Sequence, residues 1–492
     1  MSSSWLSLYP REGDTPHGHE GPFSSLMTRK EAFGAMENGL RFDLIVFGCG
    51  LSGIAVAREA ALAGARVLVV EPAYPGSNAG AWRDSLLREV SRSPWSLLRS
   101  WGDLQRILTS FAPHLTKVRP YEGAGRRGFG SRLALRRLHT IARSIGSPEI
   151  ATGIPDSDER TLIRELALAA RQEGVFVMGA TTAGFVERDV ESGTFRIAVR
   201  DLLSDEQRVV GGGGIFVDPT FSQSLVSRIG TPITKLPRVV RPHLAVVCSV
   251  EGSRELDFVR DVELAGGGLG TVCQLCPGVV EVTLLDVNGG ADSATVSSLV
   301  RQVCEASGST FIREVSRRSV GSVYGGHIAV ENRRGILIAH DGAPWRFLTV
   351  VQKTLTYIEG DETARRSRRP LPGEWRGGER EEFVEKARSA GVCADTIAAV
   401  IERWHGRVRY IPEMERGFEE VCSGVLRGEI ALAVLSDQVS SLEELLFGSL
   451  ALHTVPGWRE LVAPIAAVLV ETGAVPSEAA AIERAFAAMS AA

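Results

Sequence analysis

The sequence predicts an α/β protein that carries a second, antiparallel-sheet portion and a helical C-terminal domain. Three observations support this. A strand–glycine loop–helix–strand unit occupies residues 42–71, the same pattern resumes near residue 158 after a long interruption, and helix-like periodicity dominates from about residue 376 onward.

The first unit reads as βαβ. Phe42 to Phe47 is a short apolar run without breakers, as a buried parallel strand requires. Gly48, Gly50 and Gly53 then form G-x-G-x-x-G, followed by the helix-like IAVAREAALAG and a second strand, ARVLVV, ending in Glu71. The first glycine allows the tight turn, the second lets backbone approach a pyrophosphate, and the third lets helix pack on strand. The helix N-terminus offers N–H groups and a positive dipole end to phosphates. Glu71, 18 positions beyond Gly53, stands where an acid can bond ribose hydroxyls.

After Glu71 the α/β pattern gives way to an Arg- and Ser-rich stretch and helix-like segments to about residue 147. It resumes as an amphipathic helix and strand in ERTLIRELALAARQEGVFVMG, then the strands TFRIAVRDL and GGGIFVDPT. A nicotinamide-dependent dehydrogenase often keeps its cofactor domain as a compact run of βαβ units. The interrupted layout is that of two-domain flavoproteins, so FAD is the expected cofactor. Residues 42–375 are read as the FAD-binding domain with an inserted substrate domain, roughly 80–155 and 225–335. Residues 376–492 form a helical domain, and residues 1–41 a mobile extension.

Composition limits the function classes. A chain of 492 residues exceeds one ordinary core, and a net charge of −4 gives no basic footprint for nucleic acid. Seven cysteines in this length do not make a disulfide framework and favour a reducing, cytoplasmic setting. Cys273 and Cys276 form the only C-x-x-C; without a second pair they are read as packing residues, and no metal is expected. No uninterrupted apolar run reaches membrane-spanning length.

In order along the chain, several segments resemble the FAD-dependent glycerol-3-phosphate dehydrogenases, within the wider D-amino-acid-oxidase-like flavoproteins. APHLTKVRPY (112–121) is similar to the family's APHLVKPLPF, and DERTLIRELALAARQEGV (158–175) to its DARLVLALARDAAERGA. FVDPTF (216–221) stands at the family's VNATGP, RPHLAVV (241–247) at KGSHLVV, and FLTVVQKTLTY (347–357) at LITVVGGKLTTY; PLPG (370–373) matches the closing motif. The resemblance implies a small anionic substrate held by Arg318 (or Arg317), Arg333 and Lys353, with His243 as the base that takes the hydroxyl proton as hydride passes to the flavin. Guanidinium forks and a lysine suit phosphate or carboxylate. Lys353 is one of only five lysines among 55 basic residues.

The departures from the family are concentrated at the isoalloxazine end. Where the family has SSRSSKLIHGGLRYL, this chain has GAWRDSLLREVSRSP (80–94): Arg88 replaces the histidine, Glu89 and Val90 replace the glycine pair, and Arg92 alone is kept. Gln352 replaces a glycine before Lys353, Ile358 an arginine, and Phe221 a glycine. Side chains of this size obstruct close backbone approach.

Two classes of function follow. One is a flavoenzyme oxidising an anionic alcohol (or an amine or hydroxy acid on the same fold) and passing electrons to oxygen, a quinone or a carrier. The other is a catalytically degenerate binding or scaffold protein. Family members often sit peripherally on membranes, but no basic amphipathic helix is evident in this sequence. Its alanine-rich C-terminal helices suit packing on one another or on a partner subunit in a homodimer.

Overall fold

The computed structural model describes residues 26, 29–37, 39–76, 82, 86, 89–90, 94–122, 129–145, 153–189, 192–218, 240–252, 259–264, 269–276, 278–285, 287, 292–323, 330–333, 335–339, 344–359, 371–452, 457–472, 474–475 and 477–491. Arg88, Arg92, Phe221 and Pro370 lie outside this set, as do the side chains of His243, Arg318 and Arg333, whose backbone is described.

The first sheet is built on β1 (Arg41–Phe47), which pairs in parallel with β2 (Val67–Val70) on one side and β8 (Gln207–Val217) on the other. The parallel row continues through β5 (Phe176–Met178) beyond β2 and β15 (Ile336–Ala339) beyond β8. An edge strand, β14 (Val330–Arg333), pairs antiparallel with β15, while β6 (Thr181–Arg188) and β7 (Phe195–Asp201) form a meander leading into β8. β1 and β2 are wholly apolar at their cores because both faces are covered. One face packs on α2 (Leu51–Leu62), α6 (Glu159–Gln172) and α8 (Phe347–Glu359), and the other on α1 (Arg29–Glu37) and the meander.

Helix α1, within the stretch read as a mobile extension, packs against the first sheet. Ala32, Phe33 and Met36 are buried beside Phe42, Ile45 and Val210, and Arg29 bonds Asp201 at 2.6 Å. The helix is short and weakly amphipathic, so tertiary packing rather than local sequence holds it.

The second sheet runs β13-β9-β12-β11-β10-β3-β4 and is mostly antiparallel. Its strands are β3 (Thr116–Glu122), β4 (Gly153–Ser157), β9 (Val240–Glu251), β10 (Val259–Glu263), β11 (Leu269–Cys276), β12 (Val279–Leu285) and β13 (Thr310–Val323). Leu244, Val246 and Cys248 on β9 and Val280, Val282 and Leu284 on β12 pack on Val296, Val300 and Val303 of α7 (Ser293–Ala306). At the outer edge, α5 (Phe129–Ile145) lies against β3 and β4, α3 (Pro94–Arg99) packs on α5, and α4 (Trp101–Arg106) follows beside α3. Cys273 lies buried on β11 and is a free thiol, and a register shift separates Gln274 from Cys276. Among the described residues no His, Cys, Asp and Glu group is arranged to hold a metal ion.

The C-terminal part is helical: α9 (Glu379–Ser389), α10 (Ala394–Trp404), α11 (Arg427–Leu432), α12 (Trp458–Glu471) and α13 (Glu478–Ala491), with short helical turns between. A buried ionic joint locks it to α6. The Asp437 carboxylate accepts from Arg164 of α6 (2.5 and 2.8 Å) and from Arg407 (2.5 Å), and both guanidiniums lie within 4.7 Å of the Trp404 ring. Burial alone would raise the Asp437 pKa, but the two guanidiniums hold it far below the usual carboxylate range. A Cβ at Gly373 of the PLPG motif would fall closer than 3.0 Å to the Glu165 carboxylate, so a side chain there would displace that carboxylate.

Candidate functional site

The glycine loop leaves the end of β1 and enters α2. Gly48 has φ +97°, a left-handed conformation that a side chain rarely adopts, and its N–H donates to the Val70 carbonyl at 3.0 Å. Gly50 is the N-cap of α2 and has no side chain to cap it. At Gly53 a Cβ would fall closer than 3.0 Å to the Gly48 carbonyl oxygen, and 3.1 Å from Asp218 Oδ2. The third glycine is therefore a steric necessity.

Two carboxylates grip this loop, one from each strand flanking β1. Glu71, directly after β2, accepts from the Cys49 N–H (2.6 Å) and the Ala73 N–H (3.0 Å). Asp218, directly after β8, accepts from the Gly53 N–H at 2.5 Å. Asp218 thus supplies the cap that Gly50 cannot, and the negative charge sits at the positive end of the α2 dipole. The N–H groups of Leu51 and Ser52 precede Gly53 in the first turn, where a helix leaves its donors without intrahelical partners. Burial pushes the Glu71 carboxyl up to about 7; its two backbone donors lower it and the Asp218 charge raises it further. Cys49 is buried in the loop, and burial, with Glu71 and Asp218 nearby, drives its thiol pKa well above the ordinary value. The sequence signal for Asp218 was an acid closing an apolar strand, the same signature that marked Glu71.

These residues fit an adenine dinucleotide. The cradle is one that a Cβ would fill, the helix start faces the loop, and each Glu71 oxygen retains a lone pair for a ribose hydroxyl.

The other predicted residues fall on two different parts of the molecule. His243 lies on β9 with Val320 and Leu285 as its register partners, and Arg318 lies on β13 opposite Ala245. Position 318 therefore belongs to a row Arg318–Ala245–Thr283–Thr271 across four strands, with position 243 one rung away on the same face by strand alternation. This is the face opposite α7, and it is buried yet polar: Thr271 is 0%, Thr283 1% and Glu281 8% exposed. Thr283 Oγ1 has no hydrogen-bond partner. The alternative Arg317 is engaged elsewhere, bonding Glu314 at 2.7 and 2.9 Å.

Arg333 instead ends β14 in the first sheet. Its partner Ile336 aligns with Ile215 and, through it, with Ile45, two positions short of the Phe47 end that feeds the glycine loop. Lys353 is exposed on α8, while Val350, Val351, Thr354 and Leu355 are buried. Without the family's glycine pair, VVQK simply continues the helix through this position.

The replaced glycine pair maps to filled space. Val90 (0%), Leu86 (0%) and Trp82 (1%) are buried in the core that also contains Cys49, Leu51 and Trp345. The Trp82 and Trp345 rings meet edge-on at 5.7 Å, and Trp345 Nε1 donates to Ser100 Oγ at 3.0 Å. Glu89, where the family has glycine, is buried against Arg346 at 4.0 Å.

No family model matches the chain, and no curated protein matches it by sequence. Among solved structures, it is similar to the glycerol-3-phosphate dehydrogenase from Bacillus halodurans complexed with FAD, with TM-score 0.68 and 15% identity over 95% of this chain and 97% of that one. Lesser likenesses are to glycine oxidase from Geobacillus kaustophilus (TM-score 0.42, 14% identity, 66% of this chain and 96% of that) and L-α-glycerophosphate oxidase from Mycoplasma pneumoniae with FAD bound (0.44, 13%, 65% and 95%). Over nearly its whole length, this chain has the fold of the Bacillus halodurans structure.

Proposed function

We propose that the chain is an FAD-dependent oxidoreductase acting on an anionic, phosphorylated or carboxylated alcohol. The observation that carries the reading is the glycine cradle, whose Gly48 and Gly53 tolerate no side chain and whose helix start is capped from a neighbouring strand. The similar Bacillus halodurans glycerol-3-phosphate dehydrogenase is complexed with FAD. When bound, FAD supplies a two-electron acceptor.

The chain's own residues have distinct roles in this reading. Gly48, Gly50 and the first turn of α2 hold the pyrophosphate, and Glu71 accepts from the ribose hydroxyls. His243 receives the substrate hydroxyl proton, Arg318 anchors the anion, and Arg333 and Lys353 contribute positive charge from other elements. The buried polar face around Thr283 supports a polar substrate on that face of the second sheet. Oxygen, a quinone or a protein carrier would take the electrons onward.

One observation favours a second reading, a nucleotide-binding protein without turnover. Side chains of Glu89 and Val90 fill the positions where the family has its glycine pair. The test is anaerobic mixing of the FAD-loaded chain with phosphorylated alcohols, hydroxy acids and amines. Bleaching by anionic alcohols, lost in Arg318→Ala, supports the proposal. Bleaching by amines alone redirects it to an amine oxidase, and bleaching by none favours the second reading.

A further inference from the structure

The start of α2 has few donors to offer a phosphate, and the chain itself uses one of them. The Ile54 N–H already bonds the Gly50 carbonyl at 3.0 Å, so the first turn leaves the N–H groups of Leu51, Ser52 and Gly53. Asp218 Oδ2 accepts from the Gly53 N–H at 2.5 Å. Asp218 is 1% exposed, and its own N–H donates to the Phe47 carbonyl at 2.8 Å, which fixes it beside the loop.

The charges around the loop point the same way. Residues 48–54 carry no basic side chain. Two carboxylates flank the loop instead, close enough to act on each other: burial chiefly raises the Glu71 carboxyl to about 7, and the Asp218 charge adds to it. Arg171 is a cation whose field reaches Cys49, but its guanidinium is engaged by the Ser436 and Val177 carbonyls at 3.0 and 3.4 Å. A helix start attracts anions through its dipole and its free N–H groups, and a fixed carboxylate draws on both.

We propose that Asp218 is a specificity-determining residue that competes with a nucleotide's phosphates for the start of α2, so that the loop discriminates ligands by phosphate charge. This rests on the nucleotide reading of the glycine loop and adds to it what the loop selects. Each phosphate charge gains less affinity here than a helix start would otherwise give, because like charges repel strongly at a site screened from water. The adenosine end, at Glu71, escapes the penalty. A role as helix cap alone predicts no such grading, since aspartate and asparagine cap about equally well.

The test is calorimetric titration of the full chain, freed of bound nucleotide, with adenosine, AMP and ADP. It is run at pH 8, above the Glu71 value of about 7, so that the ribose site is ionised in every variant. Asp218→Asn keeps an acceptor for the Gly53 N–H while removing the charge, so its melting temperature should stay near that of the wild type. It should bind ADP at least about ten-fold more tightly, AMP by a smaller factor, and adenosine as the wild type does. Asp218→Ser, a second neutral capping residue, should show the same grading. Equal or weaker ADP binding by these variants would overturn the proposal, and so would a gain of the same size for adenosine. Binding of none of the three ligands by any form would overturn the nucleotide reading itself, and the proposal with it.

Discussion

Gly53→Ala is the sharpest perturbation the structure offers, because two physical effects predict opposite signs. Helix propensity alone favours alanine inside α2 by about 1 kcal/mol. The added Cβ, however, would fall closer than 3.0 Å to the Gly48 carbonyl and 3.2 Å from Asp218 Cβ, both on elements fixed by the sheet. Forcing α2 outward incurs the usual overpacking penalty, about 1–3 kcal/mol. The shift also breaks the bond from Gly53 N–H to the Asp218 carboxylate, a charged hydrogen bond worth about 1.5–3 kcal/mol. Offsetting the propensity gain leaves a net loss of about 1.5–5 kcal/mol. Urea denaturation of the apo chain reads this directly, and ADP titration should show binding at least ten-fold weaker. Gly34→Ala is the control: Gly34 lies inside α1 with nothing within 4 Å of a Cβ, so alanine should stabilise by about 0.5–1 kcal/mol. Equal stabilisation by both substitutions would refute the steric argument and, with it, the cradle.

Three further outcomes are expected. Asp437→Asn leaves Arg164 and Arg407 buried without their counter-charge and should cost about 3–5 kcal/mol in denaturation. Because the Asp437 pKa is depressed, its contribution is complete above the unfolded carboxylate pKa and is lost as pH falls below it. Glu71 has the opposite sign: with its carboxyl raised to about 7, its contribution to stability declines between the unfolded carboxylate pKa and about pH 7 and is flat above. Ribose hydroxyls donate best to the ionised form, so ADP affinity by calorimetry should rise from pH 6 to pH 8. Equal affinities would remove Glu71 from the ribose site. Thr283→Val should leave denaturation midpoints unchanged or raised, since the lost hydroxyl has no partner, while weakening an anionic substrate about ten-fold. Clear destabilisation would show that the hydroxyl is structural.

What could be read from the sequence was local. The glycine spacing, the apolar strand and the terminal acid all lie within residues 42–71, and each has one physical meaning in a βαβ unit. The split layout was legible because periodicity changes where one sheet yields to the other. What could not be read depends on distant partners. Asp218 caps a helix 165 positions away, and α1 is held by contacts with β1 and β8 rather than by its own pattern. Lys353 illustrates the limit of motif transfer. The lysine is present, but the missing glycine pair lets a continuous helix carry it on an exposed face. Arg317 and Arg318 were indistinguishable until strand register put one beside Glu314 and the other in the row with Ala245 and Thr283.

The central claim is that the glycine cradle holds FAD, and the visible absorption spectrum of the purified chain tests it most directly, with the released cofactor identified after denaturation. The account predicts a yellow protein that releases FAD, with the colour lost in Gly53→Ala. A protein that stays colourless when supplied with FAD would contradict it, and the packed Trp82, Val90 and Trp345 cluster would then be the core of a nucleotide fold without a flavin.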